Sequence, residues 1–266
     1  MSEKPLSGKR VMVTRSRSQV RELAELIESL GGETYAFPLI KMVPPRNSGP
    51  LDEALNRIET FDWVMFTSPN GVRFFLKRMD ELGIKRSRLT ARLAAVGPRT
   101  AAVLRENGLT VSVLPAEFVA EGLLGSLRGR LKAGETVLLP RADIARKTLP
   151  EELSRLGLYV TEVDAYDTVI DGENAAEAAE MLKSNAIYAI AFTSSSTVKH
   201  FVQVMEPYGL PALLEGVLIA CIGPITAETA AQLGLKVHVV AEQFTVEGLV
   251  NALLSIQGGD SHGSNV

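Results

Sequence analysis

The chain has 266 residues, with 28 Lys and Arg against 31 Asp and Glu, so its formal net charge is −3. This balance argues against a dedicated duplex-binding protein, which normally carries a basic excess. The single cysteine excludes an intramolecular disulfide and a cysteine-rich zinc site. The polar first ten residues and the short apolar runs predict neither a signal peptide nor a membrane span, so we expect a cytoplasmic protein.

Short, nearly continuous apolar runs alternate with amphipathic segments, a pattern typical of parallel strands covered on both faces by helices. The predicted strands are, in chain order, 11–14, 33–36, 63–67, 93–96, 111–114, 137–139, 159–162, 187–193, 218–222 and 237–240. The predicted helices are 18–30, 69–82, 98–107, 147–156, 195–206 and 224–233. Gly31, Gly108, Gly157 and Gly234 follow four of these helices, at a position that favours a left-handed cap. The pattern predicts the α/β class, with two flavodoxin-like sheets.

The two halves of the chain repeat one another at a constant offset of 126 residues. Phe-Thr-Ser occurs at 66–68 and again at 192–194. Residues 94–127 and 220–253 align without a gap and share fourteen of thirty-four positions. One register held across separate blocks is typical of an internal duplication.

Hydroxyl groups, an amide and arginines gather where the predicted strands end, at the edge of an open α/β sheet where ligands bind. The candidate residues among them are Arg15, Ser68, Asn70, Thr100, Arg141, Ser194, Ser196 and Thr226. Together with the free N–H groups of helix N-termini, such a set is suited to holding an anion rather than a metal ion. Serine and threonine at a helix start are also ordinary N-caps, and the arginines could instead pair with nearby carboxylates. Both interpretations therefore stay open.

Residues 37–42 and 163–168 have the pattern of extended connectors between two lobes, since each comes after a predicted strand and before a long polar helical region. Tyr166 lies in the second connector. Its phenol could donate a proton to a leaving hydroxyl, whereas the simpler interpretation is a packed aromatic side chain. The scattered histidines predict no metal site, and Cys221, inside an apolar strand, is expected to be inert.

Taken together, these blocks resemble the uroporphyrinogen-III synthase family. The matching motifs are Val-Thr-Arg at 13–15, Phe-Thr-Ser-Pro-Asn-Gly-Val at 66–72, Val-Gly-Pro-Arg-Thr-Ala at 96–101, Tyr-Asp-Thr at 166–168, Phe-Thr-Ser at 192–194, Ile-Gly-Pro-Ile-Thr-Ala at 222–227 and Glu-Gly-Leu at 247–249. The resemblance implies two flavodoxin-like parallel-sheet lobes joined by a two-stranded connector, with the active site in the inter-lobe cleft. The expected divisions are a discontinuous lobe of 1–38 and 169–257, a second lobe of 43–164, connectors at 39–42 and 165–168, and a disordered tail at 258–266.

The resemblance also implies a reaction, the cyclisation of hydroxymethylbilane to uroporphyrinogen III with inversion of ring D and loss of water. Such a lyase needs no cofactor and acts mainly by positioning a flexible substrate. Tyr166 is the implied acid, and the motif hydroxyls would bind the carboxylate arms. We expect a monomer that contacts neither nucleic acid nor membrane and that meets hydroxymethylbilane synthase only transiently. The alternative is a cytoplasmic two-lobed protein that binds or senses a small anion.

Overall fold

A computed structural model describes residues 4–15 and 20–259, in which strands and helices alternate. The strands are β1 (Arg10–Val13), β2 (Glu33–Ala36), β3 (Ile40–Val43), β4 (Trp63–Phe66), β5 (Arg92–Ala95), β6 (Val111–Val113), β7 (Thr136–Ala142), β8 (Tyr159–Ile170), β9 (Ala189–Phe192), β10 (Leu218–Cys221) and β11 (Val239–Val240). The helices are α1 (Val20–Ser29), α2 (Gly49–Asn56), α3 (Pro69–Glu81), α4 (Pro98–Glu106), α5 (Ala120–Leu127), α6 (Thr148–Arg155), α7 (Ala175–Lys183), α8 (Ser195–Met205), α9 (Pro224–Gln232) and α10 (Val246–Gly259).

Two predicted segments fall partly outside this description. The helix expected from residue 18 is described from Val20 onward, and most of the tail expected to be disordered lies outside the described residues, which end at Gly259 in α10. The four glycines predicted to cap helices have positive φ angles between 74° and 86°. The predicted left-handed caps are therefore confirmed.

The chain forms two compact units, Met1–Lys41 with Ile170–Val266, and Met42–Val169. The sheet of the first unit has the order β2-β1-β9-β10-β11, and its pairs are parallel. The other sheet has the order β3-β8-β7-β4-β5-β6, and the pairs from β8 to β6 are parallel. The first sheet shows the flavodoxin-like order 2-1-3-4-5, and the second shows it when β7 is counted first. The predicted α/β class with parallel sheets is confirmed.

Each sheet buries apolar side chains on both faces, as the near-continuous apolar runs predict. In β1, Met12 packs into one core with α7, α8 and α9, whereas Val11 and Val13 pack into another with α1 and α10. In β4, Val64 and Phe66 likewise face α2, α3 and α4, while the opposite face meets α5 and α6. The helices therefore cover the sheets, and their loops lie at the strand ends.

The strands of the two halves occupy matching places but are exchanged between the sheets. The pairs β1 and β7, β2 and β8, β4 and β9, and β5 and β10 each begin 126 residues apart. The members of each pair hold the same position in the two sheets. The first sheet combines β1 and β2 with β9, β10 and β11, whereas the second combines β7 and β8 with β4, β5 and β6. Each sheet therefore contains strands from both halves of the sequence.

Four strands differ from their predicted extents by two residues or more at one end: β7 and β8 are longer, and β9 and β11 are shorter. β8 continues for twelve residues through the segment predicted as a separate connector, and β3 is its neighbour in the sheet order. β11 begins at Val239, two residues later than predicted, because a side chain of this segment, that of His238, accepts a hydrogen bond from the backbone of β10. Its Nδ1 accepts the N–H of Ile219 at 2.9 Å, where a regular ladder would use a carbonyl.

The start of α5 holds a glycine that no other residue fits. The carbonyl oxygen of Glu117 lies 2.2 Å from the place where a Cβ would stand on Gly122, whereas Gly125 in the same helix has no atom within 4 Å. We expect Gly122→Ala to lower the free energy of unfolding by about 1–3 kcal/mol through overpacking. Gly125→Ala should raise it by about 0.5–1 kcal/mol, as alanine usually does in a helix. Urea unfolding of both variants measures the difference, and equal changes would contradict the prediction.

Candidate active site

The tyrosine singled out in the sequence lies against the start of α3. Tyr166 is 7% exposed, and its hydroxyl is 3.2 Å from Ser68 Oγ. Ser68 is the N-cap of α3 and accepts the N–H of Gly71 at 3.0 Å. The Tyr166 ring stacks on Phe74 of the same helix, with centroids 5.4 Å apart and planes inclined by 24°. The phenol is thus fixed by a stack on one side and a hydrogen bond at its tip.

A bulge in β8 brings Tyr166 to this position. Arg141 of β7 is opposite Asp164, but the next residue, Ala142, is opposite Tyr166, so β8 has one extra residue. Such a bulge breaks the alternation of a strand and redirects its side chains. Three consecutive residues, Ala165, Tyr166 and Asp167, are consequently buried. The pairing of Tyr166 with Ser68 depends on this irregularity.

The two arginines at matching strand ends have different surroundings. Arg141 is 4% exposed, and its Nη1 lies 2.5 Å from Glu162 Oε2, while Nη2 donates to the carbonyl of Arg146. Arg15 is only 3.7 Å from Glu22, and its Nε and Nη1 are buried without a hydrogen-bond partner among the described residues. Protein groups thus bind two of the three guanidinium nitrogens of Arg141 and leave Nε unpaired, whereas Arg15 lacks a hydrogen bond at both Nε and Nη1 within the described residues.

Acidic side chains that the sequence analysis did not single out surround the end of β8. Asp167 Oδ2 accepts the backbone N–H of Arg46, and Asp143 Oδ1 accepts that of Thr168. Burial raises the pKa of Asp164 above its ordinary value, and the nearby charges of Asp167, Asp143 and Glu162 add to this rise. Asp164 and Asp167 are visible in the sequence Val-Asp-Ala-Tyr-Asp-Thr at 163–168. A regular extended strand would place them on opposite faces, so the sequence did not predict that they lie close together.

The Gly-Pro-x-Thr turns begin helices in both units. Gly97 and Gly223 are the N-caps of α4 and α9, and a proline follows each of them. Thr100 and Thr226 lie in the first turns of these helices and are buried. A glycine cap leaves the first N–H groups of a helix without a side-chain acceptor, which suits an anionic ligand.

The remaining predicted residues also lie at helix starts. Ser194 caps α8 by accepting the N–H of Thr197 at 3.3 Å, and its Oγ is 3.0 Å from that of exposed Ser196. Ser195 donates to the carbonyl of Ile225, which places this turn beside the start of α9. In the other unit, Asn70 accepts a hydrogen bond from Arg73 at 3.3 Å. Ser68 and Ser194 therefore serve as N-caps, as the simpler interpretation predicted.

Burial shifts the pKa values of the cysteine and of two histidines. Burial raises the pKa of Cys221 to about 11 and lowers the pKa values of His200 and His238. Within residues 4–15 and 20–259, no group of three or more His, Cys, Asp or Glu side chains is arranged so that it could hold a metal ion. No helix of that part of the chain is long and apolar enough to span a bilayer.

Comparison with known proteins identifies relatives along nearly the whole chain. Residues 21–251 match the family model of uroporphyrinogen-III synthase HemD. The chain is 33% identical to uroporphyrinogen-III synthase from Synechococcus elongatus, over 95% of this chain and 97% of the relative. It is 34% identical to a putative uroporphyrinogen-III synthase from Methanothermobacter thermautotrophicus, over 93% and 98% of the two chains.

Solved structures show the same fold. The uroporphyrinogen-III synthetase of Helicobacter pylori matches with a TM-score of 0.55 at 19% identity, over 93% of this chain and 99% of that one. A mutant uroporphyrinogen III synthase from Thermus thermophilus matches with a TM-score of 0.54 at 20% identity, over 94% and 99%. At about 20% identity the solved structures establish the fold alone. Family membership is established by the family model and the sequence relatives. The chain belongs to the uroporphyrinogen-III synthase family.

Proposed function

We propose that the chain cyclises hydroxymethylbilane to uroporphyrinogen III, with inversion of ring D and loss of water. Family membership over residues 21–251 supports this reaction. The observation in the structure that carries it is the buried tyrosine hydroxyl held by Ser68 at the carboxyl end of the second sheet. This geometry provides a fixed hydroxyl group that can donate a proton.

The proposed chemical role of Tyr166 is to protonate the leaving hydroxyl. As the C–O bond breaks, water departs and an azafulvene electrophile forms on ring A. Ring D attacks the methylene carbon that has lost the hydroxyl, and it does so through its own substituted ring carbon. The resulting spiro intermediate then fragments and closes again at the free ring carbon of ring D. The final closure releases one proton from a pyrrole carbon, which restores the phenol. A general acid placed in this way typically contributes about 10²–10⁴-fold to the rate.

The substrate carries acetate and propionate arms, and we propose that the helix starts of both units bind them. The proposed contacts are Arg15, Ser68, Asn70, Thr100, Ser194, Ser196 and Thr226. Backbone N–H groups at these starts supply donors that require no excess of basic residues. Arg141 was also a candidate, but its contacts with Glu162 and Arg146 support a role in organising the end of β8.

The organisation of the chain is also part of the proposal. We assign the discontinuous lobe to 1–38 and 169–257 and the second lobe to 43–164, with 39–42 and 165–168 as connectors. The matching strand positions at an offset of 126 residues support an origin by internal duplication. We further propose that the chain acts as a monomer in the cytoplasm, where its single cysteine stays reduced.

The reaction is tested by supplying hydroxymethylbilane from a hydroxymethylbilane synthase and separating the oxidised products by chromatography. The expected result is predominantly the type III isomer, formed faster than spontaneous closure. Formation of only the spontaneous type I isomer would overturn the proposal. Saturable binding of the substrate without cyclisation would instead support the anion-binding or sensor protein.

A further inference from the structure

Two phenylalanines are exposed at matching positions of the two units. Phe118 is 56% exposed and lies between β6 and α5, while Phe244 is 65% exposed and lies between β11 and α10. They are 126 residues apart, in the register of the repeat. One exposed apolar side chain is ordinary on a protein surface. The same side chain exposed twice at equivalent positions requires a reason of its own.

Each phenylalanine lies against the glycine of a Gly-Pro-x-Thr turn. The Cβ of Phe118 is 3.8 Å from the place where a Cβ would stand on Gly97. Ring atom Cδ1 of Phe244 is 3.3 Å from the corresponding place on Gly223. These glycines are the N-caps of α4 and α9. An aromatic side chain is therefore adjacent to a helix start in each unit.

The two phenylalanine loops are held by the same close contact. The carbonyl oxygen of Glu117 lies 2.2 Å from the Cβ position of Gly122, and that of Gln243 lies 2.1 Å from the Cβ position of Gly248. Each carbonyl belongs to the residue immediately before the phenylalanine. The glycine of the following helix therefore fixes the backbone that presents the ring, and the exposure is built into the fold.

The two helix starts next to these phenylalanines carry different charges. Arg99, two residues after Gly97, is exposed and forms no ion pair with the described residues. The equivalent position in the other unit is Ile225, which is 75% exposed. An exposed apolar ring next to a helix start that carries a cation and free N–H groups suits a flat ring that carries carboxylates. The turn at Ile225 offers apolar surface and N–H groups alone.

We propose that Phe118 and Phe244 each bind a pyrrole ring of the substrate by aromatic contact, and that Arg99 pairs with a carboxylate arm of the ring at Phe118. This inference rests on the proposed function, because it assigns contacts for that substrate. Aromatic pairs prefer offset-stacked or edge-to-face arrangements, which fix the orientation of a ring as well as its affinity. Holding the terminal rings in one orientation is what ring inversion requires of the protein.

The test compares Phe118→Ala and Phe244→Ala with a matched control, Tyr159→Ala. Tyr159 is 69% exposed and is the first residue of β8, so it lies at the amino end of that strand, whereas the candidate site lies at the carboxyl ends. Each phenylalanine variant should raise KM about two- to tenfold, corresponding to the usual contribution of an aromatic pair. With enough enzyme that spontaneous closure is negligible, each should also form some type I isomer, which a loss of folded protein alone would not cause.

Three further measurements make the outcome decisive. Circular dichroism and thermal unfolding establish that the variants are folded, and Phe118→Tyr should restore KM because it keeps the ring. Arg99→Gln should raise KM and weaken its dependence on salt, because one charge pair is removed. Unchanged KM and isomer fraction in both alanine variants, or equal changes in Tyr159→Ala, would overturn the inference. If the unmodified chain forms only type I isomer in the same assay, the proposed function itself fails.

Discussion

Replacing Tyr166 with phenylalanine is expected to lower kcat about 10²-fold while the protein stays folded. The variant removes the proton that we assign to the leaving hydroxyl, and general acids contribute at least this much. The phenyl ring keeps its burial and its stack on Phe74. Only the 3.2 Å hydrogen bond with Ser68 is lost from the folded state, at a cost of about 1 kcal/mol. Rate assays and thermal unfolding of the same preparation separate the two effects.

The matched control is Tyr159→Phe, which removes an exposed hydroxyl at the other end of the same strand. It should leave kcat and stability unchanged. Ser68→Ala is a second variant for comparison, because it deletes the hydrogen-bond partner of the phenol and the N-cap of α3. It should cost about 1 kcal/mol of stability and retain more activity than Tyr166→Phe. A Tyr166→Phe protein with normal kcat would demote the tyrosine to a packing residue.

Removing the carboxylate of Glu162 is expected to destabilise the protein by about 3 kcal/mol. In Glu162→Gln the guanidinium of Arg141 stays buried but loses its charged partner. A buried charge left without a counter-ion costs far more than an exposed one. Lys147, the other partner of Glu162, is largely exposed and regains water on losing this contact. Urea unfolding of the variant and the unmodified chain gives the difference.

The matched control for this pair lies on α6. Glu152 pairs with Arg155, and both side chains are well exposed. Glu152→Gln should therefore change the free energy of unfolding by no more than about 0.5 kcal/mol. If Glu162→Gln proved as mild as Glu152→Gln, Arg141 would not depend on that carboxylate and would be available to a ligand.

The fold was largely predictable because its signals are local. Apolar runs such as 63–67 are almost entirely buried, and Gly-Pro at 97–98 and 223–224 marks helix starts directly. The extent of β8 was not predictable in this way. Its bulge arises from pairing with β7, and polar residues at 164 and 167 resemble a connector when read without that partner.

In the candidate site, too, features set by neighbouring residues were predictable and features set by distant pairing were not. Ser68 could be recognised as a cap because capping needs only its neighbours at 69–71. Its contact with Tyr166 joins residues 98 positions apart and depends on the bulge. The sequence also did not decide whether Arg141 binds a ligand or pairs with a carboxylate. Glu162 is its partner only because β7 and β8 pair in a register that brings the two side chains together.

The exchange of strands between the sheets has a consequence for biosynthesis on the ribosome. Met42–Val169 is continuous and can complete its sheet as soon as it has emerged. Strand β1 must wait for its neighbour β9, because Val11 pairs with Ala189. At a synthesis rate of about 5–20 residues per second, this delay is on the order of 10–30 s. During it, β1 can pair with β2 but its other edge stays without a neighbour, so we expect this stretch of the nascent chain to bind chaperones.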